Sequence, residues 1–342
     1  MISYASCLFS TLFRLSVFVF LRIIPTGLAK FVLPTLYSLY ISALFLSRNE
    51  DDLLKTDPGI VKRHGLYQQV SRLFTVILTL PTTSRRLRLS SLLVNSLLLL
   101  ASIEFAVEDY LYDAPDAVFT RLGAIYPDKA KLVIRYPHFK DPIHVVWRKV
   151  RGSPDAQIQP WTLGSPVMLS EAGDWVNSTT ISPLWPNTVY EYSLASSDKE
   201  LLSYPSVPIK FKTFPDPRLP PSAPLRFVVS SCMKPNFPYV PFKGGRIRGM
   251  DLLADYLWPT DSTSAAVSST PQPSNMEAGL TNYPGEVALS APAEFMLFLG
   301  DSVYADVPYY FGDNLDAYRR LYRRIYQSPS FRRVYERLPD HI

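Results

Sequence analysis

Charge is what this chain has little of. Only 19% of its 342 residues are Asp, Glu, Lys or Arg, low for a water-soluble protein of this size, while 47% are hydrophobic. A chain bathed in water along its whole length is excluded, and a membrane-embedded part is expected. Cysteine is almost absent. Cys7 and Cys232 are the only two, and they lie in segments of very different character, so no disulfide framework holds the fold. Cys232 is left as either an inert buried thiol or a ligand. A stripe of interleaved basic and aromatic residues is also missing. Nucleic acid is therefore not an expected partner, despite a net charge of +5.

What is present begins with apolar runs over residues 1–112. The stretch 28–47 holds only Lys30 as a charged residue near its start and is long enough to span a hydrocarbon core. A second candidate covers 89–107, with Asn95 and Glu104 as its strongly polar members. A third covers 8–24, interrupted by Arg14 and Arg22, which would snorkel toward an interface. Val70–Leu80 is too short to cross. A signal peptide is discounted, because no positive region precedes the first apolar stretch and another span follows at once. Arg48, Lys55, Lys62, Arg63, Arg72, Arg85, Arg86 and Arg88 crowd the loop 48–90, which places that loop in the cytosol. The chain is thus expected to be an integral membrane protein. Its partner there is the lipid bilayer, and everything after about residue 108 is luminal or extracellular. The sequon Asn177-Ser178-Thr179 agrees as a glycosylation site.

Over 113–214 the pattern changes to short runs of β character at Val118–Ile125, Lys131–Tyr136, Ile143–Val150, Trp175–Ile181, Thr188–Ala195 and Val207–Thr213. Turn residues separate them at the spacing of a β-sandwich. The stretch Leu184-Trp185-Pro186-Asn187-Thr188-Val189-Tyr190-Glu191-Tyr192 resembles a run of fibronectin type III domains in which the first tyrosine forms a corner. A spacer is the favoured role, and a module that binds a partner is the alternative. Residues 215–224 form a Pro-rich linker.

From 225 to 342 the order becomes β–α–β. Leu225–Ser231 and Glu294–Gly300 have the length and Val/Phe/Leu content of buried parallel strands. One stops at Cys232; the other stops at Asp301, with Tyr304 three residues on. In open α/β sheets, sites form past the carboxyl ends of such strands. Two adjacent parallel strands would therefore deliver a thiol, a carboxylate and a phenol to one edge, a trio suited to a hard, high-valent metal. Met250–Trp258, Asn314–Gln327 and Ser330–Arg337 read as helices. Residues 260–292, rich in Ser, Thr, Ala and Pro, read as a disordered insertion.

A sandwich, then a strand ending in Ser231-Cys232, then Leu299-Gly300-Asp301-x-x-Tyr304, resembles the PhoD-like alkaline phosphatases of the calcineurin-like metallophosphoesterase superfamily. Tyr318-Arg319-Arg320-Leu321-Tyr322 with Ser330–Arg337 is similar to the Tyr/Arg-rich segment of that family; the membrane part lies outside the resemblance, and a membrane-anchored, fungal-type relative would look like this. The resemblance implies that Cys232 and Tyr304 bind ferric iron (Fe3+) and that Asp301, the catalytic carboxylate, bridges it to calcium (Ca2+). It further implies two-metal hydrolysis of phosphate mono- or diesters, with metals about 3.5–4 Å apart. The fold expected is multidomain: N-terminal transmembrane helices, a fibronectin III-like β-sandwich, and the incomplete N-terminal part of an α/β metallophosphoesterase domain. The superfamily's later ligands do not follow Arg337, so a C-terminally truncated, inactive form is expected. Asp340-His341 is read as coincidence, on a frayed end. Asp306 and Asp313 are read as solvent-facing, while Arg246 and Arg248 meet either a phosphate or the solvent. A non-catalytic membrane protein whose sandwich binds a partner is the alternative function.

The basic-loop count carries a topology. In sealed microsomes, protease added outside should cleave within 48–90 and spare residues 117–214, and Asn177 should accept a glycan. Digestion of the 117–214 region from outside would invert the topology.

Overall fold

The computed structural model describes residues 2–27, 29–54, 72–82, 84–150, 159–220, 225–259, 293–304, 314–338 and 340–341. The insertion 260–292 and both Asp306 and Asp313 lie outside the described residues. The chain divides into two compact units. One holds Met1–Tyr112, Asn236–Gly244 and Ala305–Ala317; the other holds Asp113–Pro235, Gly245–Tyr304 and Tyr318–Ile342.

The first unit contains α1 (Ile2–Arg22), α2 (Ala29–Leu54), the short α3 (Arg72–Ile77) and α4 (Arg85–Leu111). Three of these, α1, α2 and α4, are long and apolar enough to cross a membrane. Their side chains are arranged inside out. Leu8, Leu12, Leu15 and Phe18 stand exposed along one face of α1, as do Leu89, Leu93, Leu97 and Leu100 along α4. Asn95, Ser102 and Glu108 are buried. Water would penalise such a surface, whereas hydrocarbon stabilises it by solvating leucine and driving polar groups inward. Arg14 departs from the snorkelling expectation. Its guanidinium turns inward, donating to Asn95 Oδ1 at 2.6 Å, to the Val76 and Ile77 carbonyls at 2.5 and 3.1 Å, and to Ser91 Oγ at 3.0 Å. A charge that can satisfy its donors inside a bundle need not reach the interface.

The segment Asn236–Gly244 packs on the far ends of these helices. Tyr239 donates its amide to the Leu21 carbonyl at 3.0 Å and its hydroxyl to Glu104 Oε2 at 2.6 Å. The Phe242 amide donates to Glu104 Oε1 at 2.8 Å, and Asn236 donates to Glu108. Phe105 stacks against Phe237 and meets Tyr239 edge-on. Glu104, which read as a polar flaw in an apolar run, is the anchor of this segment.

The second unit opens with two antiparallel sheets. Strands β1 (Phe119–Ile125), β2 (Ala130–Arg135) and β5 (Val176–Ile181) form one; β3 (Ile143–Lys149), β4 (Thr162–Val167), β6 (Val189–Ala195) and β7 (Ile209–Lys212) form the other, in the order β4-β3-β6-β7. Alternate residues face a shared core: Leu132 and Ile134 from β2, Val145 and Trp147 from β3, Tyr192 and Leu194 from β6. Tyr190 forms the corner, its hydroxyl accepting the Trp185 amide at 2.8 Å. Strand β4 has no counterpart in the sequence reading. It carries Gly164 and Pro166, which erase the strand signal, and it survives because it lies at a sheet edge, where a proline costs no ladder bond.

A third, parallel sheet follows, in the order β10-β9-β8, from β8 (Phe227–Ser230), β9 (Phe295–Phe298) and β10 (Asp340–His341). Helices α5 (Arg248–Leu257), α6 (Leu315–Gln327) and α7 (Pro329–Tyr335) complete the unit. Met250, Ala254, Met296, Phe298, Phe331 and Val334 share one core. That core includes Phe119 of the sandwich, which stacks on Tyr326 at 4.6 Å. Asp174 accepts from both Arg135 and Arg323, each at 3.0 Å, which ties the sandwich to α6. Despite the proline-rich stretch between them, the sandwich and the parallel sheet share buried surface. Leu225, Phe227, Val229 and Leu299 remain exposed.

Phe331 is 1% exposed in this core, whereas Tyr322 on α6 is 52% exposed. Phe331→Ala should lower stability by about 3–5 kcal/mol and Tyr322→Ala by less than about 0.5 kcal/mol. All five tryptophans lie in this unit, so urea unfolding followed by tryptophan fluorescence reads it alone. Equal losses would refute the assigned core.

Candidate metal centre

Strands β8 and β9 run parallel as immediate neighbours, with Phe227 opposite Phe295 and Ser230 opposite Phe298. This register sets the site. Both strands end at the same edge, and Cys232 and Asp301 follow at nearly the same height. Two backbone bonds hold the turns together: Leu299 N to the Ser230 carbonyl at 3.0 Å and Met233 N to the Asp301 carbonyl at 2.9 Å. Cys232 Sγ and the Tyr304 hydroxyl each stand 3.5 Å from the same atom, Asp301 Oδ2. Cys232 is exposed, which removes the reading of it as an inert buried thiol. Tyr304 is half-buried.

The backbone at this edge is unusual. Cys232 has φ 58° and Asp301 φ 54°, beside Gly300 at φ 119°. A left-handed conformation costs an L-residue about 1–2 kcal/mol. Here both residues that terminate the strands adopt it, and such strain gathers where a side chain must be aimed.

The electrostatics match a site for a cation. The Tyr304 phenol is pushed well above its ordinary range, first by its hydrogen bond with Cys232 and then by desolvation and the neighbouring acidic groups. The donor set fits one hard ion. Ligands about 2.0–2.3 Å from a metal stand roughly 3.0–3.5 Å from one another, which is the spacing of Asp301 Oδ2 from each of the other two donors. Fully deprotonated, they would carry three negative charges against a trivalent ion. The calcium expectation fares differently. Calcium takes about six to eight oxygen ligands, and among the described residues Asp301 alone offers a carboxylate at this edge, with no group of three or more His, Cys, Asp or Glu side chains drawn together. Asp340 and His341 are paired in a strand, not frayed. They stand level with Met296 and Leu297, five and four residues short of Asp301 respectively, or roughly 13–17 Å down the sheet. Arg246 is engaged by Asp251 at 2.5 Å, and Arg248 is exposed at the start of α5. The signal missed in the sequence was the backbone clamp from Met233 to Asp301, which no side-chain pattern announces.

No protein-family profile matches the chain, and no curated protein matches it in sequence. Among solved structures, PhoD is similar at 15% identity and TM-score 0.41 over 65% of this chain. This chain spans 37% of that PhoD chain. The sensor domain of the anti-sigma factor RsgI4 from Pseudobacteroides cellulosolvens aligns at 15% identity and TM-score 0.20, over 29% of this chain and 97% of the domain. The FN5 domain of Drosophila Lar aligns at 11% identity and TM-score 0.21, over 29% of this chain and 94% of the domain.

The strain at Cys232 has a measurable consequence. Because the side chain is exposed, Cys232→Gly loses little packing and relieves the left-handed backbone. It should be more stable than Cys232→Ala by about 1 kcal/mol in urea unfolding. A more stable alanine variant would show that the turn is unstrained.

Proposed function

We propose that this chain is a membrane-anchored relative of the PhoD-like phosphatases, built around a phosphoester-hydrolase type of metal site. The observation that carries the reading is the convergence of Cys232, Asp301 and Tyr304 on one point at the shared edge of two parallel strands. The thiolate, carboxylate and phenolate would hold a single ferric ion, and that ion would supply Lewis acidity toward a phosphate ester and lower the pKa of a bound water. Asp301, as the oxygen both other donors approach, is the catalytic carboxylate of the proposal. Among the described residues one metal position is supported and a calcium position is not, and the proposal is metal binding at that one position without turnover. The three- and four-stranded sheets with the Tyr190 corner support a fibronectin III-like spacer in front of the site. Inverted polarity along α1 and α4 supports anchoring in a bilayer. A luminal or extracellular position for the site, with a glycan on Asn177, follows from the basic loop. Asn177 is exposed on β5, an edge strand.

Purified full-length chain titrated with ferric iron should bind one equivalent and develop a visible phenolate-to-iron charge-transfer band. Tyr304→Phe should remove the phenolate band and leave only thiolate-to-iron absorption, and Asp301→Ala should weaken binding. Hydrolysis of an aryl phosphate should stay at background with iron and calcium present. A colourless wild-type complex, or a spectrum unchanged in Tyr304→Phe, would overturn the iron assignment. Turnover lost on Asp301→Ala would overturn the single-metal assignment.

A further inference from the structure

Asn236–Gly244 joins the helical unit from the C-terminal half of the chain, and its backbone hydrogen bonds are all made within that unit. Pro238 and Pro241 have no N–H to satisfy. Every other amide from Tyr239 to Lys243 donates to a protein acceptor. Tyr239 donates to the Leu21 carbonyl at 3.0 Å, Val240 to Asn236 Oδ1 at 2.9 Å, Phe242 to Glu104 Oε1 at 2.8 Å and Lys243 to the Val240 carbonyl at 3.3 Å. From Pro238 to Lys243 no backbone donor is left for solvent. A loop in water has no need of such closure, because water takes spare donors. Backbone in hydrocarbon, or at its border, must satisfy its donors within the protein. The benefit is mutual. Leu21 lies in the last turn of α1, where carbonyls lack a partner within the helix, and Glu104 is a carboxylate within an apolar span.

The side chains suit the same surroundings. Asn236 and Tyr239 are buried, while Pro238, Val240, Pro241 and Phe242 are exposed. Phe242 is 81% exposed. Lys243 follows it, a cation whose stem can carry its charge from apolar surroundings to the headgroups. Ile23 and Ile24 after α1, and Leu111 at the end of α4, are exposed at the same end of the unit, so the apolar surface of the spans continues onto the segment. Depth agrees. Phe242 is bonded to Glu104, while α4 runs on to Leu111, about 10 Å further along its axis. The segment therefore lies beside the spans and does not stand clear of them. We propose that Asn236–Gly244 is seated in the bilayer interface, with Val240 and Phe242 as a wedge among the acyl chains. It is a second membrane contact, made by the half of the chain that also carries Cys232 and Asp301. The proposal rests on the reading of α1 and α4 as membrane-spanning. It is independent of the metal centre.

The test places a nitroxide on Phe242→Cys in the full chain, with Cys7→Ser and Cys232→Ser, in phosphatidylcholine nanodiscs. Relaxation by oxygen, which concentrates in hydrocarbon, is compared with relaxation by a water-soluble nickel chelate. Leu97→Cys, midway along α4, and Val207→Cys, in the sandwich, are the references; these side chains are 55% and 71% exposed. The label at Phe242 should be relaxed more strongly by oxygen than by the chelate, as at Leu97, and the order should reverse at Val207. Stronger relaxation by the chelate at Phe242, with Leu97 still reporting hydrocarbon, would overturn the interfacial seat alone. Stronger relaxation by the chelate at Leu97 as well would overturn the spanning reading of α4 and the proposal with it. A second measurement needs no label. Phe242→Asp should lower the melting temperature in nanodiscs, and Val207→Asp should leave it unchanged. Equal melting of these two variants would overturn the wedge.

Discussion

The in-register parallel pairing of β8 with β9 is the constraint on which the candidate site depends. With Ser230 opposite Phe298, Cys232 and Asp301, 69 positions apart in the chain, follow at one edge, and the backbone bond from Met233 to Asp301 locks the two turns. A slip of one residue would reverse which side chains face the core and separate the thiol from the carboxylate. The core beneath the sheet, with Met296, Phe298, Phe331 and Val334 fully or nearly fully buried, resists that slip. Packing energy far from the edge thereby aims the donors at it.

The helical unit obeys the same physics with the solvent exchanged. Leucine lies outside and Asn95, Ser102 and Glu108 inside, so polar groups become the specific contacts and apolar groups the surface. Its two ends are used differently. Glu104 and Glu108 grip Asn236–Gly244, a segment that begins four residues after Cys232. Hydroxyls and Arg88 line a cavity at the other end. The basic loop 48–90 leaves the helices at the cavity end, and Asn236–Gly244, which belongs to the C-terminal half of the chain, meets the opposite end.

The shared core around Phe119 alters the picture of a sandwich as a detached spacer. Phe119 on Tyr326, Asp174 between Arg135 and Arg323, and Tyr204 donating to Glu336 at 2.5 Å bind the sandwich to α6 and α7. Destabilising the sandwich would thus be felt by the helices that support the parallel sheet.

Periodicity alone determined much of this protein. Apolar length located α1, α2 and α4, alternation located six of the seven sandwich strands, and two Val/Phe/Leu runs located β8 and β9, because each signal is local and repeats along the chain. The trio Cys232, Asp301 and Tyr304 was legible for the same reason, since each follows a strand end. Tertiary structure decided the rest. Strand β4 exists because its edge position tolerates Pro166. Arg14 turns inward because Asn95 and the Val76 carbonyl await it. Cys232 is exposed, and its backbone is held left-handed, because a bond from Met233 closes the turn. Asp340 and His341 belong to a strand yet stand far from Asp301, because register, not residue type, sets their height. Each of these depends on a partner distant in sequence, and no local pattern encodes a partner.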